Sequence, residues 1–313
     1  MFKLVNQLLS KYFGVGILIA IILAFFNRYT AFSFSPYSLI LLFILMFLSG
    51  FNLDWSKLKT VISNPKPIVF SNILIFLVIP LVVLVISRLI LTDEAYIYGA
   101  VFSALTPTAA VAPFFANILK TDKELSFVTL LSSMIISPFI IPPILALLVG
   151  GYLHIPSSLI FKDILILVPL PILLAALVKK IFPFIFNFLK NLLPLLNFFI
   201  LSFLIFIQFG SSFNRLPLNS IDTRNIIGLI IIGFVQDFFL ILFLKPIVDH
   251  FQNKEVGISI LISSSMKNIA IASTILLLYS PKAALAPAIG FIAHSFLFTP
   301  FVLSWLTKKS LSQ

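Results

Sequence analysis

Long apolar blocks separated by short polar punctuation run through this chain from one end to the other. A helix needs about 20 mostly apolar residues to cross a bilayer's hydrocarbon. Blocks of that size occupy roughly 12–27, 35–52, 67–91, 96–118, 124–149, 163–181, 190–213, 225–250, 255–279 and 282–306. None shows the two-residue alternation of an outer-membrane barrel strand. The pattern therefore predicts an all-α polytopic membrane protein with ten transmembrane helices. The segment 53–66, with Asp54-Trp55-Ser56-Lys57 ahead of Pro65 and Pro67, reads as a short interfacial helix, Trp55 lying at headgroup depth. The block after Phe13 reads as a first span rather than a signal peptide, since no small-x-small cleavage site follows it.

Two blocks break the helical pattern in the middle. The fourth carries Thr106-Pro107-Thr108-Ala109-Ala110-Val111-Ala112-Pro113, and each proline removes a backbone donor and crowds the preceding turn. The ninth carries Ser263-Ser264-Ser265-Met266-Lys267-Asn268, a polar cluster at mid-span. Broken backbone at membrane depth survives only where protein or a water-filled cavity satisfies it. Half-helix ends there offer partial charges and free N–H and C=O groups to a solute or ion. The plainer alternative is that the prolines are tolerated kinks and the serines bond back to helix carbonyls. The matched location in the two halves favours a solute pathway through Thr106, Pro107, Thr108, Ala112, Pro113, Ser263, Ser264, Ser265, Lys267 and Asn268.

That matching prompts a search for an internal repeat. Sliding the second half back by 158 positions lays apolar block on apolar block, Thr106-Pro107 on Ser264-Ser265, and Ser137 with Pro142 on Ser295 with Pro300. Five spans per half is odd, so the copies, 1–156 and 157–313, would face opposite ways, an arrangement common among alternating-access carriers.

Composition sharpens the membrane reading. Hydrophobic residues make up 60% of the chain, charged residues only 10%, and mean hydropathy is +1.17. Soluble domains carry about 25% charged residues, so hydrocarbon must be the solvent for most of this surface. The net charge of +11 does not point to nucleic acid, because the basic residues sit singly or in pairs between apolar blocks. Thirteen of the 21 Lys and Arg fall on the side shared by the N-terminus and the even-numbered loops, six on the other, and two inside spans. The positive-inside rule then places both termini in the cytoplasm, for a multi-pass protein of an inner, cytoplasmic membrane.

Ionisable groups inside spans are the remaining chemistry. Asp237 and Lys267 lie near the centres of the eighth and ninth blocks, where an unpaired charge costs about 2.5–3.5 kcal/mol on insertion scales. Pairing would offset much of that, so the two are expected to be neighbours. Such a pair either locks two helices together or opens and closes with protonation or solute binding. His294, Gln236 and Asn72 are further polar candidates for the pathway. With no Cys and three separated His, no metal site or cofactor is expected. No Gly-x-Ser-x-Gly, His-Glu-x-x-His, Walker or Gly-x-Gly-x-x-Gly motif occurs, so an enzyme is not expected.

Ten spans with an x-Pro-x-x-Ala fourth and a Ser-Met-Lys-Asn ninth resemble the bile acid:sodium symporter family. The likeness covers nearly the whole chain. It is clearest in Leu105-Thr106-Pro107-Thr108-Ala109, in Phe115-Ala116-Asn117-Ile118-Leu119-Lys120-Thr121-Asp122, and in Ser263 through Ala272. The resemblance implies a panel domain from spans 1, 2, 6 and 7 and a core domain from spans 3–5 and 8–10, with helices 4 and 9 broken and crossing beside the substrate cavity. Sodium-coupled members typically carry a Ser-Asn pair after a fourth-span Pro-Gly-Gly and a Glu-x-Gly-x-Gln-Asn in the ninth. Here those positions read Ala112-Pro113 and Ser263-Ser264-Ser265-Met266-Lys267-Asn268, so the family's acidic ligand has become Ser263 and its amide ligand Lys267. Hard cations need several oxygen ligands, and an ammonium in their place supplies the positive charge without the ion. The expectation is a secondary transporter of a small organic anion, proton-coupled or facilitative rather than sodium-coupled. The alternatives are a sodium-dependent organic-anion symporter and a non-transporting membrane sensor or scaffold.

Overall fold

The computed structural model describes residues 13–51, 53, 65–150, 155–216, 222–248 and 253–293, with the side chains of 13, 14, 114, 118, 237–248 and 291–293 left aside. All regular structure among the described residues is helical, apart from one isolated β-bridge. The segments are α1 (Phe13–Phe26), α2 (Arg28–Ser33), α3 (Ser38–Phe51), α4 (Lys66–Ile73), α5 (Ile79–Ile90), α6 (Glu94–Leu105), α7 (Ala112–Ile118) and α8 (Lys123–Val149). They continue as α9 (Ser157–Leu167), α10 (Pro169–Ile181), α11 (Pro183–Leu189), α12 (Leu193–Arg215), α13 (Thr223–Val248), α14 (Lys254–Ser265), α15 (Ile269–Tyr279) and α16 (Pro281–Ala293). A π-helical turn, Leu74–Val78, joins α4 to α5.

Many helix starts have a chemical reason. Asp93, Asp122 and Asn253 stand at N-caps, their side chains accepting from Ala95 N, Leu125 N and Glu255 N at 2.9 Å; such a cap contributes about 1 kcal/mol. Proline opens α4, α7, α10, α11 and α12 in the first turn, where its missing N–H has no helical partner to lose. The 27-residue α8 runs through Pro138, Pro142 and Pro143 without ending.

Lys66–Ile90, Lys123–Val149, Ser157–Ile181 and Leu193–Arg215 are long and apolar enough to cross a membrane. Large apolar side chains such as Phe26, Leu89, Leu147 and Phe188 face outward, three-quarters exposed or more. In water that surface would drive aggregation; against lipid tails it costs nothing.

Packing sorts the helices into two groups. In one, α12 lies against α1, α2 and α3, and α10 lies against α3. In the other, α6 packs on α16 and α5, α14 on α8, α4 and α13, and α15 on α16. Gly99 allows the closest approach in the second group: a Cβ there would sit 2.1 Å from the Ala283 carbonyl oxygen and 2.8 Å from Ala286 Cβ. The groups meet where α12 touches α15 and α16 and where α3 touches α15, and α9 lies between them, against α3 and α10 on one side and α8 and α15 on the other.

The expected interfacial helix around Trp55 falls on residues 54–64, outside the described residues, as do the chain ends and the Ser295–Pro300 half of the repeat comparison.

Candidate functional site

The break in the fourth block begins with proline. A residue preceding proline is pushed out of the helical region, and Thr106 accordingly adopts φ −63°, ψ 150° immediately after α6 ends. Its N–H and Oγ1 both turn back to the Ser103 carbonyl, at 3.1 and 2.7 Å. The chain is helical again only from Ala112. Pro113 corrects one expectation. It lies in the first turn of α7, where a helix tolerates proline, so it starts the second half-helix and does not break the first.

The break in the ninth block has no proline. Helix α14 stops at Ser265, Met266 is extended (φ −77°, ψ 95°), and α15 resumes at Ile269 behind Asn268. Ser265 Oγ bonds back to the Ile262 carbonyl at 3.2 Å, as the plainer reading of the serines has it.

What opens this helix is the partner it meets. Thr108 and Lys267 stand opposite each other in an antiparallel β-bridge. Ala109 N donates to Met266 O at 2.6 Å, and Asn268 N donates to Pro107 O at 2.9 Å. The two interrupted links thus satisfy each other's backbone, which water cannot do at that depth. Shifting by 159 positions (Thr108 to Lys267) turns each of these hydrogen bonds into the other.

Side chains tighten the crossing. Thr108 Oγ1 donates to the Ser263 carbonyl at 2.8 Å, and Thr108 N–H to Ser133 Oγ at 3.2 Å. Ser263 Oγ donates to Ser126 Oγ at 2.8 Å. One turn further out, Ser259 Oγ reaches the Asp122 carbonyl at 2.8 Å and Thr121 Oγ1 at 3.0 Å. Ser126, Thr129 and Ser133 recur at helical spacing along α8, so this helix turns a polar seam toward α14. Every one of Thr106, Thr108, Ser263, Ser264 and Ser265 is buried. The Ser264, Thr129 and Ser273 hydroxyls are buried with no hydrogen-bond partner among the described residues.

Lys267 is 2% exposed, a cation enclosed in protein. Its Nζ donates to the Ile75 carbonyl at 2.9 Å, and Ile75 lies within the π-turn between α4 and α5. π-turns inside helices concentrate at functional positions. This contact ties the ammonium to the backbone of that turn. The Asp237 side chain, expected to pair with Lys267, is outside the described residues.

The other sequence candidates scatter. Ala112 is fully buried and packs with Ile262 and Met266; Pro113 is half-buried. Asn72 Nδ2 donates to the Ile68 carbonyl at 2.8 Å and to Ser132 Oγ at 3.0 Å, which ties α4 to α8. Gln236 is buried on α13. His294 lies outside the described residues. Among those residues, no three His, Cys, Asp or Glu side chains gather in a way that could hold a metal.

Sequence reasoning missed Gln208. On α12, it donates to Thr274 Oγ1 at 2.6 Å and to the Ala270 carbonyl at 3.2 Å on α15, bridging the two helix groups. Its signal was there: an amide set among large apolar residues toward the end of an apolar block. The acceptor at Ile75 had no side-chain signal at all.

A family model described as the Sodium Bile acid symporter family matches residues 39–217, from α3 through α12. A curated relative from Bacillus subtilis (strain 168), "Uncharacterized protein YbaS", is 24% identical over 135 residues. That match covers 43% of this chain and 44% of the relative, so the chain spans less than half the relative's length.

Proposed function

The chain belongs to the Sodium Bile acid symporter family, and from that premise we propose that it is a secondary carrier moving a small organic anion by alternating access without sodium. One observation carries the reading: the ammonium of Lys267, buried at the crossing of two interrupted helices and held at 2.9 Å by the Ile75 carbonyl. A fixed positive charge there does the electrostatic work of a bound cation. It attracts an anion, and with the half-helix ends it lowers the cost of bringing negative charge to bilayer depth. Protons, or no ion, would then accompany the solute, and Lys267 is the candidate proton carrier.

The remaining architecture follows in the same reading. Ten spans form two inverted repeats, 1–156 and 157–313. The interruption of a helix at two places 159 residues apart, at Thr108 and at Lys267, supports that plan. The grouping of α1–α3, α10 and α12 apart from α4–α8 and α13–α16 supports a panel rocking against a core. Both termini would lie in the cytoplasm, in line with the basic residues of the even-numbered loops.

Sodium symport is the second reading. It is favoured by the buried hydroxyls of Thr129 and Ser264, which have no partner among the described residues and are oxygens of the kind a hard cation needs. Purified protein is screened by thermal shift against bile acids and smaller organic anions. The best ligand is then followed into proteoliposomes with and without a sodium gradient. Uptake independent of sodium, lost at least tenfold in Lys267→Gln, is the expected result. Uptake that requires sodium in the native protein would overturn the role given to Lys267. Ligand binding without any movement would instead favour a sensor.

A further inference from the structure

The Ile75 carbonyl is available to Lys267 for a reason that lies in the backbone. In an α-helix the oxygen of residue 75 accepts from the N–H of residue 79. Here the Ile79 N–H goes instead to the Leu74 oxygen, in the wider π register. That register would bond the oxygen of residue 75 to the N–H of residue 80. Residue 80 is proline, which has no N–H to give. Neither helical register therefore supplies a backbone donor to Ile75 O, and the Lys267 ammonium donates to it from a segment 192 residues away. The contact and the proline beside it are buried: Ile75 has no exposure, Lys267 is 2% exposed and Pro80 is enclosed.

We infer that Pro80 is a positioning residue for the buried cation: by withholding its N–H it keeps the Ile75 carbonyl open, and that carbonyl fixes the Lys267 ammonium at the crossing. The consequence for transport rests on the reading of Lys267 given above; the structural coupling does not. Alanine at position 80 restores a donor. The segment Lys66–Ile90 can then close its own hydrogen bonds, and the ammonium loses this acceptor. Removing the extra residue of the π-turn also rotates α4 by about 100° relative to α5. Helix α4 packs on α8 and α14, so the rotation reaches the same crossing.

The test is a double-mutant cycle on the purified full chain in detergent, read as melting temperature, with Pro80→Ala, Lys267→Met and both together. In the native background Lys267→Met strands the Ile75 carbonyl and lowers the melting temperature by about 2–6 °C. In the Pro80→Ala background the carbonyl has an internal donor, and the same substitution is expected to cost less than half as much. Equal costs in the two backgrounds would overturn the inference, because a proline that merely shaped the helix would be indifferent to the lysine. Should Lys267→Met fail to fold, the structure of Pro80→Ala alone decides. An uninterrupted α-helix, with Nζ more than about 4 Å from Ile75 O, is the expected outcome; a retained π-turn with Nζ still on Ile75 O overturns it. The cycle needs no transported solute. Its failure beside sodium-independent uptake would remove Pro80 alone, whereas a chain that transports nothing would leave the coupling intact.

Discussion

The two halves of the molecule interrupt a helix at corresponding places and do so by different chemistry. Residues 106–111 open because Pro107 forces Thr106 out of the helical region, and the residue presented to the bridge is an uncharged threonine. Residues 266–268 contain no proline, open against the partner backbone and present a lysine. The first break has a local cause, the second a tertiary one. The difference shows how a symmetric backbone motif can carry an asymmetric charge: the pair of bridge bonds is two-fold in plan, yet only one half contributes a cation. The family model's match, over residues 39–217, includes the proline-made break and stops short of the lysine-bearing one.

The contrast can be broken at several points. Beyond the loss of uptake expected for Lys267→Gln, the largest effect should come from Asn268→Pro. The backbone φ of −83° at Asn268 suits proline, so the change deletes the N–H donated to Pro107 O with little strain. Leaving that carbonyl stranded should cost about 1–3 kcal/mol. If the lysine-bearing break depends on its partner, thermal unfolding of Asn268→Pro will fall well below that of an Asn268→Ala control; equal melting would mean that the bridge bond adds nothing. Thr108→Val comes next. It keeps the shape, removes the 2.8 Å bond to the Ser263 carbonyl and should cost about 1 kcal/mol. A several-fold fall in uptake with a modest drop in melting temperature is expected, and unchanged uptake would show that the crossing tolerates a loosened threonine. Ser263→Ala should be the mildest. It removes the bond to Ser126 Oγ but leaves the Ser263 carbonyl on Thr108, so its effect on stability should stay below about 1 kcal/mol. A larger effect would mean that the hydroxyl does more than join α14 to α8.

How far the site could be read in the chain depended on whether a residue acts locally. Pro107 announces its break because proline geometry is the same in any surroundings, and helix α6 stops one residue before Thr106. Pro113 misled, since proline breaks a helix interior and begins a helix equally well, and only the position of α7 separates the two cases. The serines of the ninth block divided in the same way. Ser265 bonds back to its own helix, Ser263 reaches across to α8, and Ser264 finds no partner among the described residues. Three identical side chains in a row cannot reveal such a division before the neighbours are in place. Gln208 and the α8 seam were visible as polar residues in apolar runs, but not as partners of α15, Thr108 or Ser263.

The sequence alone determined that this chain lives in lipid, because apolar blocks of membrane length with one charged residue in ten leave no other solvent. It also determined one interruption outright, through Pro107, and marked the other only as a polar cluster at mid-span. The tertiary structure decided what those interruptions do: Thr108 set against Lys267, and an ammonium laid on a carbonyl 192 residues away. The reason is physical. Solvent preference and backbone sterics are properties of a few adjacent residues, whereas the partner of a buried donor is whatever acceptor the packed helices bring within about 3 Å. A main-chain oxygen left open by a π-turn has no letter of its own in the sequence.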